Sequence, residues 1–390
     1  MSSPACHRLS ICFDLSRPGA APQLRAMEGL RGLAVLLVFL VHYVSLEAPW
    51  RGDGGAVTPL ATALHSMGNA GVDLFFVLSG YLIYGSLMSR QQALLPYLRR
   101  RARRIYPVYS CVFVLYLLLS WALPSESRIP AAWPQAVAYL TSNFLLLSGF
   151  TAAPPFISVA WSLSYEMLYY LLIPLLILVF DLRRRSRSWR GGFFAVLTLL
   201  AGGLFAIFGG PARLLLFIAG ILVHEALAAP AWRAPPPALA ACAVPCALGC
   251  LLLPLALLLK LALLACAFFL LCLCCFQARA NWLARLFCWT PLRWLGNISY
   301  SYYLIHGLAL KGAFLALALL HPPQAHGLAF FLLLMPLMLA FSLPPAMTLF
   351  LLVERPLSLS PSQASVPAMA TAPAAVSSPA LPAAGNSPPG

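Results

Sequence analysis

The chain has 390 residues, 61% of them hydrophobic and only 9% charged, with a formal net charge of +15 and a mean hydropathy of +0.85. Soluble domains carry charge on roughly a quarter of their residues, so a water-soluble globular fold is excluded. Apolar segments of about 20 residues, the length that crosses a bilayer as a helix, replace the short alternating segments of a closed barrel, and predict an all-α polytopic transmembrane helix bundle.

Residues 1–23 are expected to form a cytoplasmic N-terminal extension without a signal peptide, because no apolar run precedes Arg25. About ten spans follow, at 30–47, 67–89, 105–123, 161–180, 192–209, 212–228, 237–256, 258–276, 298–320 and 327–353. The apolar piece 135–150 follows Pro134 and is too short to cross, so it is expected to be an interfacial or re-entrant helix. Residues 358–390, rich in Pro, Ala and Ser, are expected to be a disordered cytoplasmic tail with no appended soluble catalytic domain.

With the N-terminus inside, twenty of the 25 basic residues fall on the inner side, leaving only Arg51, Arg128, Arg213, Lys260 and Lys311 outside. The positive-inside rule therefore predicts that both termini are cytoplasmic. Anionic lipid headgroups account for the positive charge, and no nucleic-acid partner is implied. Most of the eleven cysteines lie inside spans and do not form a disulfide framework. Cys242, Cys246 and Cys250 share a helix face, which reads as close helix packing; no His, Asp or Glu joins them, so no metal is expected.

The first span, "LRGLAVLLVFLVHY", carries Arg31 and His42 in otherwise pure hydrocarbon. Ionisable groups are costly there, so each is a candidate site. Eleven residues at 100° make three turns plus about 20°, which puts the two on one face, about 16 Å apart. The second span carries Asp73 in "GVDLFFVLSGYLIYG", and the fourth carries Glu166 in "WSLSYEMLYYLLIPLL". Counted from the outer helix ends, His42, Asp73 and Glu166 are expected in one layer. His42 then serves as a general base, with Asp73 or Glu166 holding its tautomer. The same layer could instead relay protons in a transporter or flippase of a small anionic or lipid-linked solute.

On the inner side, "RRRARRIYPVY" runs from Arg99 to Tyr109. Membrane anchoring alone would account for Arg100 and Arg101. Because the cluster abuts a span, a cytoplasmic ligand carrying several phosphates would also fit it, arginine being the best bidentate phosphate ligand. The run Arg183–Arg190 reads as an anchor. The ninth span opens with "LGNISYSYYLIHG", placing Tyr300, Ser301 and His306 near its inner end, with His306 about two turns in.

Together, "LRGLAVLLVFLVHY", "GVDLFFVLSGYLI", "RRIYPVY", "WSLSYEMLYYLLIPLL", "LGNISYSYYLIH" and "VERPL" resemble, in order and spacing over about residues 24–357, the acyltransferase-3 family of integral membrane O-acyltransferases. The resemblance implies a membrane acyltransferase domain at 24–357 in a bacterial inner (plasma) membrane. It implies transfer of an acyl group, often acetyl, from cytoplasmic acyl-CoA to a hydroxyl of a carbohydrate or lipid-linked sugar at the outer side, with no permanently bound cofactor. By motif match, Arg31 and His42 are the family's Arg–His pair. Arg101 and Arg104 lie in its Arg-x-x-Arg-x-x-Pro segment, closed by Pro107, and Glu166 is its acidic residue. On this reading Arg31, Arg101, Arg103 and Arg104 bind acyl-CoA, His42, Glu166 and Asp73 are catalytic, and Tyr300, Ser301 and His306 contact the acceptor. One departure is Met167, where the family often has a second Glu.

Overall fold

The computed structural model describes residues 12–15, 22–52, 55–229, 235–277 and 281–359. Most of the expected extension and nearly all of the expected tail lie outside the described residues. In hydrocarbon a chain must satisfy its own backbone hydrogen bonds, and helices do so within one segment. The described residues accordingly form helices and no strand beyond an isolated bridge between Arg51 and His326.

In chain order these are α1 (Pro22–Glu47), α2 (Val57–Gly68), α3 (Ala70–Ser89), α4 (Leu94–Ala122), α5 (Trp133–Phe144), α6 (Trp161–Val179), α7 (Arg187–Phe208) and α8 (Leu215–Leu227). There follow α9 (Pro237–Cys250), α10 (Leu257–Cys275), α11 (Trp282–Phe287), α12 (Thr290–Asn297), α13 (Ser299–Leu320) and α14 (Leu328–Leu349), which runs into a π-helical segment, Phe350–Leu359. Among the described residues eight helical stretches are long and apolar enough to cross a membrane. The other two expected spans are shorter: α8 has 13 residues and α9 has 14. α8 can be short because it is held inside the bundle, with most of its side chains buried. The Cys242 and Cys246 side chains are exposed, so the cysteine stripe faces away from the bundle and the packing expectation for it does not hold.

Small residues set the closest helix contacts. α3 and α8 run parallel, bonded at one end by Asp73 and Arg213 and at the other by Tyr84 and Glu225. A Cβ on Gly80 would lie 2.0 Å from the Phe217 carbonyl oxygen, and one on Gly220 would lie 1.9 Å from that of Val77. Only hydrogen fits, which lets the backbones approach. Gly220→Ala is therefore expected to cost about 1–3 kcal/mol by overpacking, seen as a lower melting temperature in detergent. Gly249→Ala, where a Cβ meets nothing within 4 Å, should be neutral. Equal melting of the two variants would refute the contact.

α1 and α13 run parallel along the bundle. Arg31 Nη2 donates to Ser299 Oγ at 2.7 Å, and Trp50 Nε1 donates to the His321 carbonyl at 3.1 Å. α14 returns antiparallel to both: the Tyr43 hydroxyl donates to the Phe331 carbonyl, and Tyr302 and Ser342 share a hydrogen bond of 2.9 Å.

Between α4 and α6 the chain makes a re-entrant hairpin. The Tyr109 hydroxyl donates to the Asn143 carbonyl at 2.7 Å, so the end of α5 reaches α4 thirteen residues before α4 ends, about 20 Å along the helix. Irregular backbone is tolerated at such a place only if it is buried in protein and its polar groups are satisfied. Asn143 Oδ1 accepts from the Phe156 amide at 2.8 Å, and Ser164 Oγ accepts from the Gly149 amide at 2.9 Å. The Tyr139 hydroxyl donates to the Pro154 carbonyl, and Leu146 takes a left-handed φ of 57° at the turn.

Candidate functional site

The arginine cluster does not lie in a loop. It falls in the first turns of α4, where positions three apart share a face. Arg101 and Arg104 thus point the same way, into a cavity of about 160 Å³ that Arg31, Glu166, Tyr170 and Tyr300 also line. Arg101 Nη2 donates to Ser86 Oγ at 3.0 Å, and its guanidinium lies 5.3 Å from the ring centre of Tyr97 and 5.1 Å from that of Tyr170. Arg104 Nη1 donates to Glu354 Oε1 at 2.5 Å, with its guanidinium 5.2 Å from the Tyr300 ring. The Tyr170 hydroxyl donates to Glu166. Three guanidinium groups against the carboxylates of Glu166 and of Glu354, which pairs with Arg104, leave one positive charge in excess, which suits an anionic ligand. We call the end of the bundle that carries it the basic end.

Glu354 holds the basic wall in place. It is fully buried, and its second oxygen accepts from the Ser301 amide at 3.1 Å and from Ser301 Oγ at 2.5 Å. A carboxylate bonded to one guanidinium, one amide and one hydroxyl is close to full satisfaction. It sits in the π-helical segment, a geometry often found at functional sites.

His42 belongs to a second cavity, of about 490 Å³, toward the far end of the bundle, with Ser45, Tyr116, Ser158 and Gly307 among its lining. The rings of His42 and His306 meet edge to face, their centres 4.7 Å apart. His306 is fully buried. Its Nδ1 lies 3.0 Å and 2.9 Å from the carbonyl oxygens of Tyr302 and Tyr303. A carbonyl only accepts, so Nδ1 carries the hydrogen and Nε2 presents a lone pair. That Nε2 has no hydrogen-bond partner among the described residues. Between the two chambers stand Ser162 and Tyr303, whose oxygens are 2.7 Å apart, both bonded to the Val159 carbonyl of the re-entrant hairpin.

The expected single layer of His42, Asp73 and Glu166 is not formed. The Asp73 helix stretch begins at Val57, not at 67, so Asp73 lies farther from its outer end than counted. Gly68 packs against Leu37 and Val41, and Gly71 against Ala34 and Leu37. This register places Asp73 roughly eight residues, or about 12 Å, along α1 from His42. Its carboxylate is buried against Arg213 Nη1 at 2.6 Å. Glu166 is displaced for another reason: the re-entrant hairpin starts α6 inside the bundle, so Glu166 faces Arg31 and Arg101 rather than His42. Neither carboxylate partners His42, and the proton-relay reading loses the layer it needed.

The remaining expected residues divide. Arg31, Arg101, Arg104 and Tyr300 line the positive chamber. Arg103 points elsewhere and donates to the Leu357 carbonyl at 3.0 Å from an exposed position. Ser301 is buried on Glu354, and His306 is buried against His42. Sequence reasoning assigned no role to Glu354, Tyr170, Ser158 or the Ser162–Tyr303 contact. "VERPL" signalled the first of these, since a Glu directly after the apolar run Leu349–Val353 needs a buried partner. Among the described residues no group of three His, Cys, Asp or Glu side chains could hold a metal ion.

Comparison with known proteins gives a family. The profile of the acyltransferase domain family (acyltransferase 3) matches residues 24–347. Similar curated proteins include BcsY of Komagataeibacter xylinus, named as a membrane-bound transacylase, 32% identical over 180 residues, which are 44% of this chain and 42% of that protein. The acyltransferase MdmB of Streptomyces mycarofaciens is 28% identical over 247 residues, 56% of this chain and 61% of its own. The O-acetyltransferase OatA of Staphylococcus aureus is 29% identical over 199 residues, 47% of this chain and 29% of its own. The alignments thus span between 29% and 61% of these relatives' lengths. No solved structure matches the chain.

Proposed function

The chain belongs to the acyltransferase domain family over residues 24–347, and from that membership we propose that it is a membrane O-acyltransferase taking its acyl group, in the simplest case acetyl, from cytoplasmic acyl-CoA. The acceptor is a hydroxyl on a carbohydrate or lipid-linked sugar at the other side of a bacterial plasma membrane. The observation that carries this reading is the pair of chambers on α1, one positive and lined by Arg31, the other lined by His42.

The positive chamber, at about 160 Å³, has room for part of the donor's slender arm but not for its nucleotide. The phosphates therefore stay at the basic end, on Arg101 and Arg104, with Arg103 exposed beside them. The donor arm extends past the Ser162–Tyr303 contact toward His42. There His42 takes the proton of the acceptor hydroxyl as its oxygen attacks the thioester carbonyl carbon. The tetrahedral intermediate collapses, the C–S bond breaks, and the leaving sulfur receives the proton. His306 packs its ring edge to face against His42 and so fixes the His42 ring by contact. The basic end is cytoplasmic on this reading, in keeping with the basic residues gathered there.

Equilibrium binding of labelled acetyl-CoA to purified protein in nanodiscs tests the donor half. Saturable binding is expected, and Arg101→Ala should weaken it roughly 10- to 100-fold, the worth of a charged hydrogen bond of about 1.5–3 kcal/mol. A wild-type protein that neither binds acetyl-CoA saturably nor releases its thiol would overturn the reading.

A further inference from the structure

The chamber that holds His42 opens sideways. α4 and α13 touch where the Tyr300 hydroxyl donates to the Ile105 carbonyl at 2.8 Å. Farther from the basic end they part, so that Tyr116 and Leu119 of α4, and Leu123 just past its end, face Leu308, Gly312 and Leu315 of α13 across the cavity. At the mouth Leu123 and Leu315 are 49% and 52% exposed, and Leu118, Leu319 and Leu320 continue the apolar surface along the same two helices. In a bilayer that surface meets acyl chains, so the cavity is open to hydrocarbon along one side.

Charge is confined to the rim. Lys311 pairs with Glu126, and the hydrogen bond and charge of Lys311 hold the Glu126 carboxyl below its usual range. Arg128 has no carboxylate within ion-pair distance among the described residues and donates to the Pro155 carbonyl at 3.1 Å. The rim therefore keeps one positive charge. Inside, the polar groups are few: His42 and the hydroxyls of Ser45, Tyr116, Ser120 and Ser158. A freely soluble, fully hydrated glycan would leave most of its hydroxyls unpaired against leucine.

We propose that the acyl acceptor is a lipid-borne alcohol, an anionic amphiphile that enters sideways between α4 and α13 from the surrounding leaflet. Its hydroxyl reaches His42, its hydrocarbon lies along Leu123 and Leu315, and its anionic group meets Arg128. This rests on the acyltransferase reading and narrows the acceptor class within it.

The test uses protein in nanodiscs with labelled acetyl-CoA and two matched pairs of acceptors. One pair is dodecyl maltoside, below its micellar concentration, and maltose; the other is phosphatidylglycerol and glycerophosphoglycerol. At least tenfold more label is expected on an amphiphile than on its soluble partner, with the anionic lipid favoured over the neutral glycoside. Arg128→Gln should remove that charge preference. Gly312→Trp adds bulk at the cleft from a position where a Cβ meets nothing within 4 Å. It should abolish transfer while acetyl-CoA affinity stays within twofold of wild type, which also reports that the variant is folded; Gly312→Leu gives a milder block. Three results would overturn the inference: soluble members acylated as well as their amphiphilic partners, a Gly312→Trp protein that transfers normally, or no amphiphile acylated by wild-type protein that binds acetyl-CoA. Failure of acetyl-CoA binding itself counts against the acyltransferase reading instead.

Discussion

Glu354→Ala is expected to destabilise the protein by about 3–5 kcal/mol, because it leaves the Arg104 guanidinium facing a buried site with no counter-charge. The same change frees Ser301, whose amide and hydroxyl both end on that carboxylate. The double variant Arg104→Met/Glu354→Leu replaces the pair by apolar groups of similar volume. Such replacements are often neutral or better, so most of the stability should return. Affinity for acetyl-CoA should not return, since the donor's phosphates lose a guanidinium. Thermal melting and acetyl-CoA binding, measured side by side, separate the two roles. A double variant that binds acetyl-CoA like wild type would remove Arg104 from donor recognition.

His42→Ala is expected to lower acyl transfer by about 10²–10⁴-fold, the usual worth of a positioned general base. Acetyl-CoA affinity should hardly change, because His42 lines a different chamber from the arginines. That split distinguishes loss of chemistry from loss of binding. The chamber is large enough to admit free imidazole, so imidazole added at millimolar levels should restore part of the activity of His42→Ala and none of that of Arg104→Ala. Unchanged transfer by His42→Ala would end the general-base assignment.

Helix identity was legible in the sequence, and depth was not. Hydropathy and the positive-inside rule predicted an all-helical bundle with the basic residues gathered at one end. Depth depends on where a helix starts, and two starts could not be read. α2 is broken up by Thr58, Pro59, Thr62, His65 and Ser66 and so reads as a connection, yet it extends the Asp73 stretch back to Val57. The hairpin at Trp133–Ala160 carries the start of α6 into the bundle, because Asn143, Tyr139 and Ser164 satisfy backbone groups that hydropathy treats as unpaid cost. Each shift moved a carboxylate away from His42. Glu354 escaped notice for a different reason: its partners, Arg104 and Ser301, are 250 and 53 residues away in the chain.

On the proposed reading the two chambers lie toward opposite ends of α1, so acyl transfer from a donor at one side to an acceptor at the other would also be an exchange of ions across the insulating layer. The hydrogen lost by the acceptor hydroxyl ends on the donor's sulfur, moving one way as the acyl group moves the other. Formally an acylium cation and a proton trade places, so no net charge crosses. A membrane potential, worth about 2.3 kcal/mol per charge per 100 mV, should neither drive nor oppose turnover. An enzyme built this way would run equally well in an energised and a de-energised cell.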